Sequence, residues 1–238
     1  MDGLENVEEY NNAGALLGLE GSDAEELLGA LRQMDPIRRA KIINKLANPG
    51  ANSKGSRAEM EKFFGELPDH IKAGLTKGEL RLADTVIYSI KPVASKTIKL
   101  FETQDDKEIG LRNISNGKLQ KNQVLLVSGI IVLVGVSADA TKDAIMATNY
   151  AAIETYPAIA NGEFSLKANK KQLVPETSNT VFKTNNFHLV RSGYYKLDNP
   201  RLIIDDVLIE LTIELGTQTG IAANTQVFVG LHGTVTTP

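Results

Sequence analysis

The segment Asp206-Val207-Leu208-Ile209-Glu210-Leu211-Thr212-Ile213-Glu214-Leu215 alternates apolar and polar residues with a period of two. Val207, Ile209, Leu211, Ile213 and Leu215 fall on one side, with Glu210, Thr212 and Glu214 opposite. That is the pattern of a strand with one buried face and one wet face. Residues 225–235 (TQVFVGLHGTV) repeat it through Val227, Val229, Leu231 and Val235. Leu80, Leu82, Val86, Tyr88 and Ile90 follow it too, broken at Asp84. The longest apolar run, Val124 to Val136 (VLLVSGIIVLVGV), is shorter than the roughly 20 residues of a membrane span. It is rich in β-branched residues and reads as one or two buried strands.

Further strands are expected at 96–102, 111–114, 123–135, 162–168, 179–184 and 187–191. Asn116-Gly117, Asn161-Gly162, Ser192-Gly193 and the stretch from Gly216 to Gly220 supply turns between them. About eight short strands without alternating helices predict a mainly β protein, a single jelly-roll or β-sandwich barrel over residues 79–238. An Ala-rich insertion at 138–156 is expected to hold one helix in a loop between strands.

Residues 1–78 have a different texture and predict an α-helical N-terminal region. Ser22-Asp23-Ala24-Glu25 is a capping box ahead of Leu27, Leu28, Leu31 and Met34 at helical spacing. Asp35-Pro36 opens a second helix with Ile37, Ala40, Ile43 and Ala47 along one face. Ser56 and Glu59 cap a short third one that holds Met60, Phe63 and Phe64. The start of the chain lacks the basic and apolar stretches of a secretory signal.

Chemistry-bearing patterns are sparse. The chain has no cysteine, which excludes disulfides, thiolate metal sites and a cysteine nucleophile. His70, His188 and His232 are far apart in sequence, with no local pair at metal-ligand spacing. There is no P-loop, dinucleotide fingerprint or nucleophile elbow. Asp105-Asp106 and Asp205-Asp206 abut strand ends outside any calcium-loop pattern and read as turn or edge residues. Glu210 and Glu214 read as solvated or partner-facing, and His232 as an outward-pointing strand residue. No catalytic, cofactor or metal residue is assigned. The formal charge is -3, so the protein is not globally basic. Arg38, Arg39, Lys41 and Lys45 nevertheless gather positive charge on the second helix. They are either an ordinary solvated face or a contact for nucleic acid, lipid headgroups or a partner.

Three stretches, 110–136, 161–184 and 194–235, resemble the strands of jelly-roll coat proteins of icosahedral bacterial viruses, including the tailless membrane-containing kind. The resemblance lies in the "NPRLI" lead-in, the long alternating strand, the Gly/Thr/Asn loop and a closing strand with "LHGT", similar to the last hairpin of such barrels. It covers about residues 80–238 and leaves the N-terminal region outside. It implies a capsid or vertex protein with no catalytic residues, cofactor or small-molecule substrate. Such a subunit assembles in the host cytoplasm into a virion, with copies of itself as trimers or pentamers and with other virion proteins. Its N-terminal helices would reach neighbours, genome or an internal membrane. The alternatives are a β-sandwich binding module for a protein or carbohydrate, and a cupin-type enzyme with His/Glu metal ligands inside the barrel. Scarce aromatics and absent Trp disfavour sugar stacking.

Overall fold

The computed structural model describes residue 60 and residues 62–184 and 192–238. The helices expected before Met60 and the strand expected at 187–191 lie outside the described residues. The compact unit that carries the β-structure runs from Glu59 to Pro238.

Among the described residues, eight strands make up two four-stranded antiparallel sheets. They are β1 (Arg81–Pro92), β2 (Thr97–Lys99), β3 (Val124–Val136), β4 (Glu163–Ala168), β5 (Lys171–Ser178), β6 (Tyr194–Ile204), β7 (Ile209–Glu214) and β8 (Thr225–Thr237). The first sheet has the order β1-β8-β3-β6 and the second β2-β7-β4-β5. Their inner faces share one core: Leu125, Val127, Ile130, Val132, Val227, Val229 and Leu231 meet Ile98, Phe164, Leu166, Leu211 and Ile213. The alternation that marks β7 in the sequence is realised as written, with Ile209, Leu211 and Ile213 fully buried and Glu214 exposed.

β3 is buried on both faces, which explains its unbroken apolar run. Its pairing with β8 steps from Val127↔Gly233 to Gly129↔His232, leaving Ser128 as the extra residue of a bulge. A one-residue bulge exchanges the faces of everything beyond it. Before the bulge Leu125 and Val127 face the shared core; after it Ile130, Val132 and Val134 do. Gly233 is required opposite the bulge, because a Cβ there would run into the Leu126 carbonyl. On the outer side, Val124 and Leu126 pack under Met60, Leu67 and Ile71, with Leu82 and Leu202 alongside. Ile71 belongs to α1 (Asp69–Lys77), a short helix ended by Gly78 in the left-handed region.

Several sequence expectations are corrected. Residues 179–184 are not a strand: Asn179–Phe182 is a 3₁₀ turn, whose Phe182 drops into the core against Phe164. Residues 111–114 make isolated bridges through Arg112 rather than a full strand. β5 and β6 were hidden by Pro175 and Pro200, which sheet edges tolerate because one side of an edge strand needs no ladder bond. The expected closing hairpin is absent. β7 and β8 lie in different sheets, and the Gly/Thr/Asn segment between them crosses the sandwich. The 138–156 insertion holds α2 (Lys142–Met146) and a 3₁₀ turn at Ile153–Thr155, followed by α3 (Pro157–Ala160).

Candidate interaction surface

The two outer faces differ. The second sheet presents Lys167 opposite Glu210, Ser165 opposite Thr212, and Glu163 opposite Glu214, a polar surface suited to water. The outer face of the first sheet is mixed: Val124, Leu126 and Ile131 share it with Asp84, His232, Thr234 and Thr236, and the chain's own segments bury much of it. Beyond the α1 end, Tyr88 stacks on Phe228 at 5.6 Å, and Tyr150 tilts over the same ring at 6.1 Å. Tyr150 descends from the 137–152 segment, which crosses this end of the sheet. Its phenol donates to the Ile145 carbonyl at 3.2 Å, and burial raises its pKa. Gly135 lets the segment approach, since a Cβ there would meet the Asn149 carbonyl at 2.9 Å. α2 is capped by Thr141. The Thr141 hydroxyl and amide both donate to the Asp139 carboxylate and hold its pKa below the ordinary value.

The connection between β2 and β3 flanks the β1 edge and is pinned in three ways. Leu100, Phe101, Leu111, Ile114 and Leu119 are buried. Asn116 (φ 55°) and Gly117 (φ 62°) form the tight turn between Ser115 and Lys118 that the Asn-Gly pair predicts. The third anchor is ionic. Lys91 Nζ lies 2.6 Å from Glu102 Oε2 and 2.7 Å from Asp105 Oδ2, and Arg112 Nη1 lies 3.1 Å from Asp105 Oδ1. All four side chains are at most 27% exposed. Asp105, read from sequence as a turn residue, is therefore the centre of a largely buried charge cluster, while Asp106 is exposed.

Asn113 closes the β1 edge beside this cluster. Its Nδ2 donates to the Val86 carbonyl at 2.7 Å, and its Oδ1 accepts from the Tyr88 amide at 2.8 Å. A side-chain amide thus occupies the place of a neighbouring strand and blunts an edge open to further pairing. Asn113→Ala is expected to cost about 1–2 kcal/mol of unfolding free energy, measured by denaturant titration, because two part-buried backbone groups lose their partner.

The pinned connection carries Ile109 at its tip, 87% exposed. Glu108 pairs with Lys142 of α2, and a Cβ on Gly110 would fall 2.6 Å from Met146 Sδ, so the two loops touch. Met146 is itself 45% exposed. The result is a fixed apolar corner with no need to order itself on contact.

The other sequence candidates are dispersed. Asp205 accepts from the Asn122 amide at 2.6 Å and Asp206 (φ 59°) lies 3.6 Å from Lys118 Nζ, as expected of turn residues. His232 sits on the outer face of the first sheet, its ring edge-on to Tyr194 at 5.6 Å. His70 is exposed on α1. Arg38, Arg39, Lys41, Lys45 and His188 lie outside the described residues. Among the described residues no three His, Asp or Glu side chains converge as a metal site, and no helix is long and apolar enough to cross a membrane. In comparisons with known proteins, no family model and no curated sequence matches the chain.

Proposed function

We propose that the protein is a jelly-roll subunit of an icosahedral virion shell, made to sit beside copies of itself and assigned no catalytic role. The strand order carries the reading. β1 pairs with β8, β2 with β7, β3 with β6 and β4 with β5. These four antiparallel pairs are those of a long hairpin rolled into two sheets, which is the jelly-roll construction of viral coat domains. The exposed Ile109 at the tip of a pinned connection offers an apolar contact of the kind a subunit presents to a neighbour. The likeness of 110–136 and 161–184 to coat-protein strands supports the same reading, while the closing hairpin that the resemblance also implied is not formed.

Native mass spectrometry of the full chain tests the reading. The expected result is a concentration-dependent series of symmetric oligomers, trimers or pentamers first. A monomer that persists at tens of micromolar, with a tight complex to one unrelated protein, would favour the binding-module alternative instead.

A further inference from the structure

We propose that an ordered internal water is built into the ionic anchor, held by Ser89, Asp105 and Arg112 at the foot of the 108–112 turn that carries Ile109. Three buried side-chain atoms there find no hydrogen-bond partner among the described residues: Ser89 Oγ, Asp105 Oδ2 and Arg112 Nε. Ser89 is 0% exposed and Asp105 9%. The site goes beyond the shell reading and stands whether or not the protein assembles.

Register brings the three residues together. Ser89 bridges Arg112, and two backbone bonds flank the pair: the Ile90 amide donates to the Leu111 carbonyl at 2.9 Å and the Asn113 amide to the Tyr88 carbonyl at 3.3 Å. Ser89 and Arg112 are therefore a non-hydrogen-bonded antiparallel pair, the closer kind, with both side chains on one face. Lys91, two residues from Ser89 along β1, points to that face as well. Its ammonium donates to Glu102 Oε2 at 2.6 Å and to Asp105 Oδ1 at 2.9 Å, and Arg112 Nη1 donates to the same Oδ1 at 3.1 Å. Asp105 Oδ2 lies 2.7 Å from the Lys91 ammonium yet accepts no hydrogen bond. One carboxylate oxygen is doubly used while the other keeps its acceptor capacity.

The chemistry of the three atoms selects the occupant. Arg112 Nε–H only donates, the Asp105 carboxylate only accepts, and the Ser89 hydroxyl does either. A water accepts from the guanidinium, donates to the carboxylate and shares a bond with the hydroxyl, which makes the three bonds typical of a buried water. Charge favours a neutral guest. Lys91 and Arg112 already balance Glu102 and Asp105, so a trapped ion of either sign would leave an uncompensated charge away from solvent. The water also has a mechanical role. Glu108 and Arg112 close the turn around Ile109 through backbone bonds of 3.0 and 2.9 Å, so the Arg112 side chain is the root of that tip. Holding Nε as well as Nη1 stops the guanidinium from swinging about a single tether to Asp105.

A crystal structure of the full chain at atomic resolution tests this. One solvent peak is expected within about 2.7–3.2 Å of all three atoms. Ser89→Val removes the hydroxyl and fills its space, so the peak is expected to vanish from that variant. Hydrogen exchange adds a readout in solution. With Ser89→Ala the Ile90 and Asn113 amides are expected to exchange at least about fivefold faster, while β4 and β7 keep the wild-type rate. The wild-type peak decides the matter even where a variant fails to fold. No peak at that place, or a Ser89 hydroxyl turned onto a backbone carbonyl, would overturn the site. So would an anomalous peak there in crystals grown with bromide, which would mark an anion instead. Unchanged exchange in Ser89→Ala would overturn the water's part in holding the turn.

Discussion

Phe164→Ala is expected to lower the unfolding free energy by about 4 kcal/mol. Phe164 is 1% exposed on β4 and faces across the sandwich. Its ring lies 4.8 Å from that of Phe182 and 6.3 Å from that of Tyr195, and Phe182 and Tyr195 are themselves 6.0 Å apart, edge to face. The three rings come from β4, the 3₁₀ turn Asn179–Phe182 and β6, so they join both sheets to the connection between them. Removing the central ring forfeits its transfer free energy and leaves a cavity that sheets fixed by their ladders are slow to fill. Phe228→Ala is the contrast. Phe228 is half-buried on the outer face, and its truncation is expected to cost less than half as much. Denaturant unfolding followed by circular dichroism measures both. Equal losses at the two positions would show that the shared interior does not dominate stability.

Asp105→Ala is expected to cost about 3 kcal/mol, through a different mechanism. The carboxylate neutralises Lys91 and Arg112 together, and its removal leaves a largely buried guanidinium without its counter-charge. Glu102 still faces Lys91, which limits the loss on that side. Because Arg112 bridges Ser89 on β1, the damage should appear as faster hydrogen exchange over residues 105–113, with β4 and β7 little changed. Arg112→Met in the same background should recover part of the lost stability by removing the stranded cation. Uniform loss of protection across both sheets would contradict a local anchoring role.

How much of the fold and of the surface is legible in the sequence depends on how local the deciding physics is. β7 is readable because the other sheet packs on its inner face only, so burial alternates residue by residue. The turn at Asn116-Gly117 is readable because positive φ selects those two residues. The Ser128 bulge is not, since residues on both sides of it are apolar and the change of face leaves no trace in hydropathy. Nor is the 3₁₀ turn at 179–182, where Val181 and Phe182 imitate half a strand. β5 and β6 hide behind prolines that their edge positions tolerate. The ionic anchor draws on residues 91, 102, 105 and 112, which come together only once the β2–β3 connection has folded back on β1. Pairwise spacing along the chain carries no sign of that. The Ile109 corner is likewise invisible, because an isoleucine between charged residues and a glycine in a loop looks no different from one that turns inward.

The jelly-roll shell reading is tested most directly by electron microscopy of the purified full chain at high concentration. The predicted result is rings or closed shells of uniform size, with subunits related by rotational symmetry. A field of single compact particles at every concentration, unchanged by salt, would contradict it.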